Sequence, residues 1–368
     1  MQQTTKKIVL SIFLLSFSTL GIAHSNHHHP VKQEEGKTLN KIQKVELILK
    51  EARSKNDQNK YREAKTLLDE MGKTVKVRLY LAEIQQYFHN FDSALSTLAP
   101  IKNNSSSGLL KASIYFTQGK VKRAHHECMK LFGAIDNLVA MTCLAQANSL
   151  LGQLDKAYGV LHASMQHMQS DNKQSQAWAY VTLAEMAERK SDTESARRFY
   201  QKALALNKND YPSRIAYADL LLEEKNYSKV TAITKDYLNN DLIMLRYVRA
   251  LNIQGDLRTS DHFCELKRRV LNYIGTSNYS KQNQHLHYDL IAEYFLYFSA
   301  DSELALNWAK KHWHQQKTPR DARLLLKAAI EANDDAVIEE VKHWQGMFQT
   351  EDKRQQALFK DTILAWNR

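Results

Sequence analysis

The chain has 368 residues, of which 43% are hydrophobic and 25% charged, and its 51 Lys and Arg outnumber 40 Asp and Glu to give a net charge of +11. Eleven Gly and four Pro are too few for a turn-rich all-β fold of this length, whereas helices tolerate that scarcity. The basic residues are scattered among acidic ones without a sustained block, so they read as solvated helix faces and not as a nucleic-acid surface.

Residues 1–23 read as a secretory signal peptide. Lys6 and Lys7 form a basic start, an apolar stretch runs from Ile8 to Leu15, and Gly21-Ile22-Ala23 offers small residues at a cleavage site. The apolar core is shorter than the ~20 residues a membrane span needs. No Cys follows it, which argues against a lipid anchor. The expected compartment is periplasmic or secreted. Residues 24–40 follow as a His-rich flexible segment. His24, His27, His28 and His29 lie within six positions. They are read first as part of a polar spacer; the alternative is a metal-capturing arm, since neutral imidazoles bind Cu, Ni or Zn.

Helical periodicity begins near Leu39 and Ile42, and the chain then reads as paired helices joined by short polar turns. A spacing recurs throughout: Ala52 and Ala64, Ala82 and Ala94, Ala112 and Ala124, Ala145 and Ala157, Ala184 and Ala196, Ala218 and Val230. Small residues at this interval let two antiparallel helices approach closely, and the larger side chains are left to pack on the next hairpin. The clearest unit is Trp178 to Asp210. Its first helix carries Val181, Ala184 and Ala187 on one stripe, Ser191-Asp192 breaks it, Thr193 is the expected cap, and Ala196, Tyr200 and Ala203 follow on the partner helix.

This unit resembles a tetratricopeptide repeat. Leu183-Ala184, Ala196 and Tyr200 match that family's Leu-Gly pair, alanine and aromatic position. Leu81-Ala82 with Phe91, Ala94 and Leu98 gives another unit; Ala112, Tyr115, Gly119 and Ala124 a third; Leu144-Ala145, Gly152, Leu154, Ala157 and Leu161 a fourth; Tyr217-Ala218, Tyr227 and Val230 a fifth. Ala52, Tyr61, Ala64 and Leu68 suggest a degenerate first unit. The resemblance implies an all-α fold, an α-solenoid of stacked antiparallel helix hairpins. Residues 41–274 are expected to form these repeats. Residues 275–368 are read as C-terminal helical hairpins with a capping helix: a break over 275–284, then helices over His287 to Lys311, Asp321 to Asn333, Asp334 to Gln345 and Asp352 to Trp366.

In arrays of this type the first helix of each unit lines the inner groove. Carried onto this chain, the resemblance places Glu83, Gln86, Tyr87, Phe116, Ser149, Glu185, Arg189, Asp219 and Leu222 there as partner-binding residues. The family's best-known variant clamps a terminal carboxylate with a Lys- and Asn-rich groove. This groove reads as neutral to acidic with Arg189 as the exception, which favours a basic or neutral peptide.

No GxSxG, phosphate loop, His-Glu-x-x-His or CxxC motif is present. His125-His126-Glu127 has the residue types of a metal site without the spacing, and reads as a helix face. Cys128 and Cys143 flank the turn at Gly133 to Asn137, seven and eight residues from Ile135. A disulfide is geometrically possible; the preferred reading is two buried small hydrophobes, with Cys264 free and half-buried. The sequence therefore points to a non-catalytic, exported scaffold that binds a protein or peptide along its concave face, with no nucleic acid. The alternative is a metal-handling protein that uses the array as a docking scaffold.

Overall fold

The computed structural model describes residues 40–55, 57–167, 171–256, 259–275 and 287–366, and the side chains of these except 259 and 360–366. The leader, the histidines from His24 to His29 and most of the break expected over 275–284 lie outside the described residues. Among those residues the protein is entirely helical. Seven hairpins come first: α1 (Lys41–Lys55) with α2 (Gln58–Asp69), α3 (Val75–Tyr87) with α4 (Phe91–Leu98), α5 (Ser105–Thr117) with α6 (Val121–Met129), α7 (Asn137–Leu150) with α8 (Leu154–His167), α9 (Lys173–Arg189) with α10 (Thr193–Leu206), α11 (Tyr211–Glu223) with α12 (Tyr227–Thr234), and α13 (Asp241–Gln254) with α14 (Thr259–Gly275). Then come α15 (Tyr288–Tyr294) with α16 (Ser302–Trp313), α17 (Pro319–Glu331) with α18 (Asp335–Phe348), and α19 (Lys353–Trp366).

The spacing of small residues does what close helix crossing demands. All twelve alanine and valine positions of that series are buried, none more than 4% exposed. Larger side chains fill the gaps between hairpins and divide the interior into successive clusters, one around Val45, Tyr61 and Ile84, the next around Leu110, Ile114 and Phe116, the next around Leu183, Tyr200 and Leu221. A solenoid is stabilised in this way, by neighbour upon neighbour and without one central core.

Each hairpin from α3–α4 to α17–α18 turns through one residue in the left-handed region: His89, Gly119, Gly152, Ser191, Lys225, Gly255, Ala300 and Asn333. In most of them the next N–H closes a six-residue loop onto the first helix, as from Lys120 to Tyr115, Asp192 to Ala187 and Asp334 to Ala329, which satisfies carbonyls the helix end leaves open. The device continues to Asn333, well past the last sequence-matched unit, so the hairpin rule extends into the C-terminal region. It also corrects two expectations. The single helix read over His287 to Lys311 is a hairpin, since Ala300 turns left-handed and the Asp301 side chain caps α16 by accepting from the Leu304 N–H. The cap of α10 is Asp192 and not Thr193, because its carboxylate reaches the Ser195 N–H.

Cys128 and Cys143 form a disulfide, their Cα atoms 5.5 Å apart. The buried-hydrophobe reading is thereby corrected: α6 and α7 pack against each other across the 130–136 connection, which brings the penultimate residue of α6 beside the seventh of α7. Cys264 is exposed and not half-buried.

The array coils tightly enough to meet itself. The Tyr211 hydroxyl lies 3.4 Å from the Ser54 carbonyl, and the Lys317 N–H donates to the Thr117 carbonyl at 2.9 Å. The α18–α19 link does the same one hairpin further on, with the Thr350 hydroxyl on the Leu150 carbonyl at 3.1 Å and the Glu351 carboxylate taking the Leu154 N–H at 3.2 Å. These approaches explain two glycines. A Cβ on Gly119 would stand 2.8 Å from the Lys317 Cβ, and one on Gly152 would stand 3.0 Å from the Gln349 Cβ.

Candidate functional site

The inner face expected to be an open groove is covered by α17, α19 and the links before them. Glu83, Tyr87, Phe116, Ser149, Arg189 and Leu222 are buried, and Gln86, Glu185 and Asp219 are half-buried. Several serve the array itself. Arg53 donates to both oxygens of Glu83 at 2.7 Å, Gln86 donates to the Ser113 hydroxyl, and Tyr87 stacks on Tyr61 with ring centroids 3.9 Å apart. Phe116 and Leu222 are core residues.

The other residues gather at the axis of the coil, where they meet groups the sequence did not single out. Arg246 on α13 is fully buried. It donates to Asp219 at 2.8 Å and 3.1 Å and to Glu293 at 2.8 Å. Arg320 on α17 joins the same two carboxylates at 3.5 Å and 3.3 Å. Burial alone would raise the Asp219 carboxyl; Arg246 and Arg320 overcome it and hold it at about 2. Arg323 pairs with the fully buried Asp352 at 2.5 Å. Arg354 on α19 reaches Glu188 at 2.6 Å and Glu223 at 2.5 Å. Four arginines of α13, α17 and α19 thus enter a groove whose first helices read as neutral to acidic. The acidic groups of the first helices are thereby neutralised, because the charge balance of the axis is set by segments far away in sequence, as the separation of 131 positions between Glu223 and Arg354 illustrates.

A cavity of about 70 Å³ lies among α7, α9, α10, α11, α17 and α19, lined in part by Gln146, Glu185, Glu188, Arg189, Tyr200 and Arg354. Arg189 is fixed by Ser149, its two terminal nitrogens donating to the Ser149 carbonyl at 2.8 Å and hydroxyl at 2.6 Å. Burial pushes the Glu185 carboxyl up to about 8, Glu188 adds to the rise, and Arg189 and Arg323 oppose it. Glu185 is therefore largely uncharged at neutral pH. A second and larger cavity, about 450 Å³, opens where the first hairpin meets α11 and α13, with Tyr211, Asp241, Arg269 and His287 on its wall. Burial lowers the His287 imidazole to about 4, so it is neutral. Among the described residues no group of three or more His, Cys, Asp or Glu could hold a metal ion, and no helix is long and apolar enough to cross a membrane.

Residues 136–209, spanning α7 to α10, match the sequence model of the tetratricopeptide repeat. This stretch of the chain carries tetratricopeptide repeats. The matched stretch supplies Gln146, Glu185, Arg189 and Tyr200 to the smaller cavity. Among solved structures the chain is similar to Pseudomonas aeruginosa pilF, 17% identical over 62% of this chain and 98% of that one, with a TM-score of 0.40. It is similar to a tetratricopeptide repeat protein from Parabacteroides merdae, 12% identical over 78% and 97%, TM-score 0.37. It also resembles the APC/C hetero-tetramer Cut9–Hcn1, 13% identical over 89% and 70%, TM-score 0.49. No curated protein matches the chain. Repeats of this kind generally serve as scaffolds for protein interaction.

Proposed function

We propose that this protein is an exported, non-catalytic scaffold that binds a protein or peptide partner. The observation that carries the reading is that its tetratricopeptide repeats already hold a length of polypeptide. The link residues Lys317, Thr350 and Glu351 exchange hydrogen bonds with the main chain at the ends of α5, α7 and α8, and Arg354 is gripped by two carboxylates of the first helices. Main-chain hydrogen bonds for register and charged side chains for selection are how repeat grooves take extended peptides. Here the C-terminal segment supplies those groups, so a partner reaches the inner face by displacing α19. The basic side chain that the groove grips also fits the expectation of a basic or neutral ligand. Export is supported by the leader sequence and by the Cys128–Cys143 disulfide, a bond that persists in oxidising compartments.

Photo-crosslinking in the native cell tests this reading. A photoreactive residue at Glu223, on the exposed edge of the groove, is expected to trap one partner reproducibly. Removing residues 353–368 is expected to raise the yield and to leave far-UV helicity otherwise unchanged. Equal, partner-free recovery of both forms sinks it. A second reading rests on His24, His27, His28 and His29: a metal-handling protein with the array as its docking scaffold. Titration with Cu(II), Ni(II) and Zn(II) before and after deleting residues 24–30 separates the two, since loss of micromolar binding on deletion supports the second.

A further inference from the structure

The axis of the coil holds buried polar atoms that the protein leaves unused. Both amide atoms of Gln146, the Tyr200 hydroxyl and the Arg354 Nε have no hydrogen-bond partner among the described residues. Gln146 is 3% exposed and Tyr200 is completely buried. All three residues line the 70 Å³ cavity. Burying such groups without partners is unfavourable, so the cavity is built to contain something polar.

The charges say what. Arg320 is shared with Asp219, Arg323 with Asp352 and Arg354 with Glu188. Arg189, 5% exposed, has only the neutral Ser149 as a hydrogen-bond partner among the described residues. Of the acids around it, Glu188 is committed to Arg354, Asp352, whose charge acts on it most, to Arg323, and Glu351 to the Leu154 N–H, while Glu185, one turn away, is largely uncharged at neutral pH. The cavity thus presents one guanidinium with no carboxylate hydrogen-bonded to it, together with a free amide N–H, a free phenol and a neutral carboxyl, all of which can donate.

We propose that this cavity binds a small oxyanion, a short carboxylate or an inorganic phosphate or sulfate, with Arg189 as counter-charge and Gln146 and Tyr200 as hydrogen-bond donors. Hydrogen bonds to a charged group in a water-poor site are stronger than neutral ones. The space suits an ion with a few waters, each of which occupies roughly 10–15 Å³ on this measure, and is too small for a peptide. The wall is shared. Gln146, Arg189 and Tyr200 belong to the repeats, while Arg320, Arg323 and Arg354 belong to the C-terminal helices. A bound oxyanion therefore fastens α17 and α19 onto the array, and its loss loosens them. The site stands independently of the partner-binding reading, since it requires only the closed chain.

The test titrates the full chain with acetate, succinate, phosphate and sulfate against chloride at constant ionic strength, following thermal unfolding and heat of binding. At least one oxyanion is expected to raise the melting temperature saturably, as a ligand of the folded state must. Whether the carboxylates or the inorganic ions do so identifies the source. Tyr200→Phe and Gln146→Leu keep ring and volume while removing only unpartnered atoms. Each is expected to weaken binding about threefold to tenfold, and Arg189→Gln more. Affinity is also expected to fall above about pH 8, as Glu185 ionises among Glu188 and Arg189 of its own helix, Tyr200 of α10, Asp210 capping α11 and Asp219 within it, Arg320 and Arg323 of α17 and Arg354 of α19. Two results overturn the proposal: no saturable oxyanion effect up to about 10 mM, or an effect that Tyr200→Phe with Gln146→Leu leaves unchanged. The second would mean that ions act elsewhere and that water fills the cavity.

Discussion

The seam where helices cross and the axis around which the hairpins coil are built on opposite principles. At the seam, Ala82 against Ala94 or Ala184 against Ala196 removes bulk so that backbones meet, and no charge is involved. At the axis, Arg246, Asp219, Glu293 and Arg320 form a buried ionic cluster, and Arg354 ties the last helix to the fifth and sixth hairpins. The seam is local, repeats, and sets the architecture. The axis is long-range, occurs once, and sets how tightly the coil closes.

The largest effect is expected where that difference is sharpest. Arg246→Met leaves Asp219 and Glu293 charged and buried without their principal partner, which typically costs about 3–5 kcal/mol. Urea unfolding followed by circular dichroism measures it. A cost well under 1 kcal/mol would mean that water already reaches the axis and that the comparison is overdrawn. Below pH 4 the same cluster should weaken in the wild type. Asp219 has a folded value of about 2, beneath its ordinary 3.8, so the stability it contributes is present above pH 4 and is lost as pH falls through 2.

The disulfide comes next and belongs to the seam side. It closes a loop of 15 residues between α6 and α7, for which the chain-entropy account gives about 3 kcal/mol. Cys128→Ala with Cys143→Ala should lower the melting temperature, and reductant should have no further effect on that variant. If reductant leaves the wild type unchanged, the bond is not formed in solution.

Architecture was legible in the sequence because the seam is periodic. A dozen-residue spacing of alanines specifies a hairpin whatever surrounds it, and it located helices from Ala52 to Val230. The axis was not legible. Glu83, Ser149, Arg189 and Asp219 were singled out as groove residues from their position on first helices. Nothing near them in sequence announces that Arg53, Arg246 or Arg320 is the partner of one, or that the groove is filled. One signal was available. Gly119, Gly152 and Gly255 occupy turn positions that His89, Ser191 and Lys225 fill without glycine, which marks three turns where close approach can be sought, and at Gly119 and Gly152 but not at Gly255 the C-terminal links supply it.

That signal gives the next measurement. Gly119 and Gly133 both have positive φ, at 69° and 74°, and both should lose about 1–2 kcal/mol on becoming alanine. A Cβ at Gly133 meets nothing within 4 Å, whereas one at Gly119 meets Lys317. Gly119→Ala is therefore expected to exceed Gly133→Ala by about 1–3 kcal/mol, the usual range for overpacking. Equal costs would show that the C-terminal link yields freely and that closure is loose at the third hairpin.

The smallest effect over a single pH unit near neutrality is the pH dependence from Glu185, and it reads the axis without cutting any contact. Its folded value of about 8 stands above the ordinary 4.5. The folded chain therefore holds a proton that the unfolded chain releases, and stability falls as pH rises from 4.5 through 8. Between pH 7 and 8 the loss should be about 1 kcal/mol. Glu185→Gln should abolish that slope and leave the variant more stable than the wild type at pH 8, with little difference near pH 4. A slope that persists in Glu185→Gln assigns the titration to another group. A wild type with no slope means that Arg189 and Arg323 already hold the carboxylate ionised, in which case Arg189 has a charged partner on its own helix and is no longer available as a counter-charge at the axis.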